Sequence, residues 1–228
     1  MYRNKIQIVL FAMMLLFLSS CRDNGAGDNP VAGETVFHLK TPSGVDFDWK
    51  AAPNALVNGT SCKITLSEGS PAIGVEESSA GEYEIIIPAE AYSRARKCFV
   101  LPPAQIPSAS GAADPRFFPM HARTDVSGEV YLEPLVGIVK INVKGAGRLM
   151  SAYLSAPSLS GTFGFDGKSL SADSSYPLCP FTVVNAAGNG SGLETSGLYA
   201  AVPPGNYSDG ITVRVTDNNH HVGYASVG

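Results

Sequence analysis

The sequence predicts an all-β protein built as two tandem antiparallel β-sandwiches. Charged residues make up 16% of the 228 residues. The usual share is about a quarter, so long solvent-exposed helices are disfavoured. The 24 glycines and 16 prolines supply turns for many short strands. After residue 30, apolar residues recur at every second position in most segments, which is the period of a strand with one buried face.

The first 20 residues are predicted to be a lipoprotein signal peptide. Two basic residues precede an apolar run at 6–18. As a helix at about 1.5 Å per residue this run spans roughly 20 Å, which is short of the ~30 Å hydrocarbon core of a bilayer. It is therefore typical of an export signal. The small residues before Cys21 resemble a bacterial lipobox, in which the bond between Ser20 and Cys21 is cut and the Cys21 thiol receives the lipid. An ordinary signal peptide with an incidental cysteine is the alternative.

The next segment, 21–30, is small and polar, and we expect it to be a flexible tether. Asp23 and Asp28 resemble, in diluted form, the acidic residues that follow the lipid-bearing cysteine in surface lipoproteins of Bacteroidetes. The resemblance implies a protein that is anchored in the outer membrane through the lipid on Cys21 and faces the cell exterior.

The rest of the chain is predicted to divide into an N-terminal sandwich at 31–125 and a C-terminal sandwich at 126–228. The segment 102–128 is the candidate junction because it holds Pro102, Pro103, Pro107 and Pro115, and repeated prolines cannot pair within a central strand. The clearest alternation predicts that Ile141 and Val213 are buried, whereas Lys140 and Arg214 face water. The predicted strands are 35–40, 45–49, 62–66, 83–88, 97–101, 130–133, 136–143, 149–155, 162–165, 181–184, 199–202 and 211–216.

Three cysteines remain once Cys21 carries a lipid. Their spacing fits neither a zinc site nor a redox motif. We expect Cys62, Cys98 and Cys179 to act as small hydrophobic residues, with one disulfide among them as the alternative.

No catalytic or metal-binding constellation is evident, so we expect neither an enzyme nor a cofactor. The formal net charge of −4 and the lack of a basic run argue against nucleic-acid binding. Three groups of residues have structural explanations that we prefer to chemical ones. They are the histidine pair His220 and His221, expected in a solvated turn without a nearby acid; the carboxylates Glu76, Glu77, Glu82 and Glu84, expected on an exposed face; and the glycine-rich stretch 188–192, expected to be a loop.

Several motifs resemble those of one family, the fimbrillin-like lipoproteins of Bacteroidetes. Residues 101–105 (LPPAQ) and 114–122 (DPRFFPMHA) resemble a segment between the two domains of these proteins. Residues 133–143 (EPLVGIVKINV) resemble the strand that opens their second domain, and 153–163 continues the likeness. Residues 202–213 resemble a hairpin with the pattern PPG, Tyr, Gly.

The resemblance implies two transthyretin-like or Ig-like sandwiches, export as a lipoprotein and a role in fimbriae or related adhesive structures. Fimbrial subunits and host or bacterial surface ligands are the partners that it implies. The family usually runs beyond the position of Gly228, so we expect a truncated second sandwich that lacks an edge strand.

One departure from the family concerns assembly. In polymerising members an Arg-specific protease cuts in the first domain and opens a groove for a neighbour's donor strand. Between Arg22 and Arg94 this chain has no arginine. We therefore expect an accessory, basal or tip component. The alternative is a glycan-binding surface lipoprotein, in which Trp49 would be the single indole available to stack on sugars.

Overall fold

The computed structural model describes residues 34–76, 81–143, 147–172, 175, 177–186, 192 and 197–227. These residues form nineteen strands, three short 3-10 turns and no α-helix, which confirms the all-β prediction. No helix in this described part of the chain is long and apolar enough to cross a membrane. The predicted signal peptide, the tether and Cys21 lie outside the described residues.

The strands follow one another closely along the chain. They are β1 (Glu34–Lys40), β2 (Asn54–Val57), β3 (Thr60–Lys63), β4 (Thr65–Ser67), β5 (Ser70–Glu76), β6 (Tyr83–Ile87), β7 (Tyr92–Ser93), β8 (Cys98–Leu101), β9 (Ala104–Gln105), β10 (Met120–Thr124), β11 (Gly128–Tyr131), β12 (Glu133–Pro134), β13 (Gly137–Asn142), β14 (Leu149–Phe165), β15 (Leu170–Ala172), β16 (Leu178–Val184), β17 (Gly197–Val202), β18 (Ile211–Asp217) and β19 (Val222–Val227).

The first sandwich consists of a four-stranded sheet, β11-β1-β5-β4, and a five-stranded sheet, β12-β10-β6-β2-β3. Alternating burial explains why β1 is a strand. Phe37 and Leu39 point inward, with 0% and 2% exposure, and the residue between them faces out. Phe37 meets Tyr83 of the other sheet edge to face, with ring centroids 5.0 Å apart. The core between the sheets is thus held by interdigitated aromatic and aliphatic side chains.

The second sandwich sets the two-stranded sheet β13-β17 against a larger sheet with the order β19-β18-β14-β16-β9. The 17-residue strand β14 is the central strand of this sheet. It pairs with β18 near its start, with β16 from Ala152 to Gly161, and with β8 and β15 near its end. Ile141 and Val213 are buried at 9% and 4% exposure, and Lys140 and Arg214 are exposed. The predicted alternation of both strands is confirmed.

Strand pairing crosses residue 125 in both directions. The strand β11 pairs in parallel with β1, and β12 pairs with β10. In return, β8 joins β14 and β9 joins β16 of the second sandwich. The division of the chain at 125 and 126 therefore stays a prediction.

Gln105 connects the two halves through its side chain. It is 2% exposed, its Nε2 donates to the Ala201 carbonyl at 3.0 Å, and its Oε1 accepts from the Ala201 amide at 2.9 Å. The side-chain amide of Gln105 thus satisfies the backbone donor and acceptor at this edge of β17, as the backbone of a neighbouring strand would.

Three local predictions differ from the structure. The segment 45–49 is not a strand: Phe47 makes one isolated bridge to Ala113, and Asp48 caps a 3-10 turn by accepting from the Lys50 amide at 3.1 Å. The predicted strand 62–66 is divided between β3 and β4. The candidate junction 102–128 contains β10, a central strand. Its prolines all precede the strand, so they leave its backbone donors available for pairing.

Candidate functional site

The lipid site, Cys21, and the cleavage site between Ser20 and Cys21 lie outside the described residues and stay predictions. The other cysteines are described. Cys62 and Cys98 are both 3% exposed, Cys179 is partly buried, and none of the three forms a disulfide within the described part of the chain. Cys62 and Cys98 therefore act as small core residues, as predicted.

The carboxylates singled out from the sequence do not form an acid and base pair. Glu76 and Glu82 are exposed as predicted, and Glu77 lies outside the described residues. Glu84 differs from the prediction, since its Oε1 accepts from Arg123 Nη2 at 2.9 Å and is 3.2 Å from His121 Nε2. Burial acts to raise the pKa of Glu84, but the bonds with Arg123 and His121 outweigh it and leave the pKa below its ordinary value. This hydrogen-bonded cluster joins β6 to β10.

The histidine pair does lie in a turn, between β18 and β19, but an acid is close by. Asp217 Oδ1 accepts from the amides of Asn219 and His221 at 2.8 and 2.9 Å. Its Oδ2 accepts from the Gly147 amide at 3.1 Å and is 3.0 Å from His221 Nδ1. Burial acts to raise the pKa of Asp217, but these hydrogen bonds lower it to about 2. Both oxygens of Asp217 are thus engaged with groups of the turn, so the carboxylate holds the hairpin closed. No group of three metal-binding side chains occurs among the described residues.

Trp49, the sugar-stacking candidate, is 8% exposed and packs 6.0 Å from the Phe47 ring. It belongs to the core of the first sandwich and has no free face to offer a ligand. The prediction that Trp49 is available to stack on sugars is therefore wrong, because the indole is buried against neighbouring aromatic residues.

The most distinctive exposed group is a row of side chains on the outer face of the larger sheet. Tyr224 of β19 lies opposite Arg214 of β18. The Arg214 guanidinium carbon is 5.7 Å from the centroid of the Tyr153 ring on β14. The Tyr153 ring in turn stacks on Phe181 of β16, at 5.8 Å between centroids and 17° between planes. These four residues, the outer row, cross four neighbouring strands.

The strands position the outer row by simple alternation. Ile211 and Val213 face the core, so Arg214 must face outward together with Thr212 and Thr216. Tyr224 is 72% exposed, whereas Tyr153 and Phe181 are half-buried against their neighbours. The sequence analysis missed this group because its members are as many as 71 positions apart, from residue 153 to residue 224.

A groove of about 510 Å³ lies beside β13. It is lined mainly by apolar residues of β13, of the segment before it and of the turn 203–207. Its tyrosine, Tyr207, donates its hydroxyl to the Pro203 carbonyl at 2.7 Å and is therefore engaged in holding that turn. The groove presents no carboxylate, histidine or thiol among its lining residues.

No protein-family model matches the chain, and no curated protein matches it significantly. Solved structures do share its architecture. A proposed cell adhesion protein from Bacteroides uniformis aligns with a TM-score of 0.53 at 9% identity, covering 86% of this chain and 86% of that chain. A proposed cell adhesion protein from Bacteroides ovatus aligns with a TM-score of 0.48 at 13% identity, covering 84% of each chain. At such identities the likeness to the B. uniformis protein concerns the fold alone.

Proposed function

We propose that this chain is a non-catalytic surface lipoprotein with an adhesive role. In the proposal the lipid on Cys21 holds it in the outer membrane, with the two sandwiches facing the cell exterior. Within fimbriae it is an accessory, basal or tip component.

The observation that carries the proposal is the fold shared with the proposed adhesion protein of B. uniformis over 86% of both chains. The lipobox and the fimbrillin-like motifs of the sequence point in the same direction. The described titratable clusters support the non-catalytic part, because the Glu84 carboxylate accepts a hydrogen bond from Arg123 and the Asp217 carboxylate accepts one from the Gly147 amide. Neither carboxylate has the raised pKa that a general acid needs at neutral pH.

The structure also bears on whether this chain could polymerise as the repeating subunit of a fimbrial shaft. After Arg22, Arg94 is the next arginine in the sequence, and it lies in the exposed turn between β7 and β8. Its Nη1 donates to the Gly59 carbonyl at 2.9 Å. A cut in this turn would divide the first sandwich between two fragments, since β1 pairs with β11 and β6 pairs with β10 across the cut. Removal of one strand, which opens a donor-strand groove, is not available by this route.

Surface labelling of intact cells tests the proposal. Antibody and gold label should decorate the exterior of cells that express the protein, and the protein should remain with washed outer membranes. Cys21→Ser should release it from the membrane fraction, because only the thiol accepts the lipid. Cys179→Ser, at a free and half-buried thiol, is the matched control and should leave the protein membrane-bound. Label that appears only after permeabilisation would overturn the proposed location, and membrane retention of the Cys21→Ser variant would overturn the anchor.

A further inference from the structure

Three properties of the outer row distinguish it from an ordinary solvated sheet face. First, its rings are concentrated: three of its four members are aromatic, and the four members lie on four successive strands of the sheet. At about 4.8 Å between neighbouring strands, four strands span roughly 14 Å. This length suits a ligand of several linked rings better than a single small molecule.

Second, the row leaves apolar surface in water. Tyr224 is 72% exposed and its strand neighbour Val222, on the same face, is 48% exposed. Isolated exposed apolar residues are common, but adjacent ones beside an aromatic row are typical of a binding surface. Tyr224 and Arg214 are directly opposite each other in the β18–β19 pairing, which places both side chains on the same face of the sheet.

Third, the charge of this face has one sign. Arg214 makes no ion pair with a described carboxylate, and its guanidinium contacts the Tyr153 ring. The flanking outward positions on β18 and β14 carry hydroxyls instead of acids: Thr212, Thr216, Ser151 and Ser155. The nearest acid along β18, Asp217, is 3% exposed and its oxygens accept hydrogen bonds from the hairpin turn. The surface therefore complements a negatively charged group.

We propose that the outer row binds a glycan whose pyranose rings carry carboxylates. The C–H face of a sugar packs on the exposed face of Tyr224, which is apolar and electron-rich. Arg214 donates to the carboxylate in the paired geometry that a guanidinium favours. Threonine and serine hydroxyls at the flanks exchange hydrogen bonds with the sugar hydroxyls.

Other occupants fit the row less well. Aromatic residues and arginine are also enriched at protein interfaces, but a stable protein interface buries about 800 Å² on each partner, and a row roughly 14 Å long is short for such an area. An anionic membrane surface is recognised by clusters of four or more basic residues, whereas the row has a single cation. The glycan inference rests on the proposed function, because a surface location is what brings the row to external glycans.

Binding by the mature, full-length protein in detergent is the direct test. Two carboxylated polymers, polygalacturonate and polysialic acid, are cast into native gels, and retardation of the protein is compared with that in fully methyl-esterified polygalacturonate. The wild-type protein should be retarded by at least one carboxylated polymer and should pass the uncharged ester freely. Tyr224→Ala and Arg214→Gln should each weaken binding by about tenfold or more, which corresponds to about 1.4 kcal/mol.

The chain offers matched controls on other surfaces. Tyr131 of β11 is 71% exposed, nearly the same as Tyr224, but it belongs to the first sandwich. Lys140 of β13 also places a cation over an aromatic ring, 5.3 Å from the Tyr199 centroid, on the opposite sheet. Tyr131→Ala and Lys140→Gln should bind like the wild type, and all four variants should melt within a few degrees of it.

Each outcome decides the inference. Failure of both carboxylated polymers to retard the wild-type protein would overturn it, as would equal retardation by the ester or equal losses in the control variants. Surface labelling is measured separately. A surface-exposed protein that binds neither polymer would refute the glycan inference and leave the adhesive location standing, whereas a periplasmic protein that binds them would refute the location alone.

Discussion

Replacement of Gln105 by leucine should destabilise the protein far more than its position in a two-residue strand would suggest. The side chain is 2% exposed, and its two hydrogen bonds reach the amide and the carbonyl of Ala201, which is itself fully buried. Leucine has a similar volume but neither a donor nor an acceptor, so both Ala201 groups would be left buried without partners.

The magnitude follows from those two groups. An unpaired buried backbone group costs about 1–3 kcal/mol, so the pair costs about 2–6 kcal/mol, and the apolar gain from leucine offsets a part of this. We expect a net loss of about 3 kcal/mol. For a chain of this size, that corresponds to a fall in Tm of roughly 6–12 °C.

Two measurements check the Gln105→Leu effect. Denaturation by guanidinium, followed by circular dichroism, gives the change in unfolding free energy, and hydrogen exchange reports on the Ala201 amide itself. This amide should exchange slowly in the wild-type protein and much faster in the variant, since its acceptor is gone. An unchanged melting curve together with unchanged Ala201 exchange would refute the strand-like role of the Gln105 side chain.

Gln105→Glu is the companion variant. The carboxylate can still accept from the Ala201 amide, but once ionised it cannot donate to the Ala201 carbonyl and places a buried charge there. Burial raises the pKa of such a carboxyl in the folded state. By linkage the variant's loss of stability relative to the wild type should therefore be smallest at low pH, where the group is protonated, and should grow as the pH rises through the folded-state pKa.

Three further predictions concern other parts of the structure. Ile141→Asp puts an unpaired charge into the second core and should cost several kcal/mol, whereas Lys140→Asp on the same strand should cost about 1 kcal/mol or less; equal melting shifts would mean that the register is wrong. Asp217→Ala should lower stability at neutral pH, and because the folded pKa of about 2 lies below the ordinary 3.8, the difference from wild type should fade as the pH drops from 3.8 towards 2 in acid denaturation series. An Arg-specific protease that cuts the exposed turn at Arg94 or Arg96 should leave a monomer on size exclusion, held by β1-β11 and β6-β10 pairing; multimer ladders on denaturing gels would contradict this.

The all-β class and the orientation of several strands could be read directly from the sequence. Alternation in β13 and β18 predicted which way Ile141, Val213, Lys140 and Arg214 face, and the structure agrees. The reason is local: the pleat turns successive side chains to opposite faces, so a period of two in hydrophobicity already records which face is buried. The turn between β18 and β19 was likewise recognisable from its asparagines and histidines.

What the sequence could not supply is the set of contacts between distant segments. The prolines of 102–128 indicated a junction, yet β10 lies between β6 and β12 as a central strand, because its neighbours and not its flanks decide its pairing. Gln105 reaches Ala201 across 96 positions, and the outer row brings Tyr153 beside Arg214 and Tyr224 only after β14, β18 and β19 have paired. Periodicity records the face that a residue presents, whereas its partners depend on strand order and register, which long-range packing alone determines.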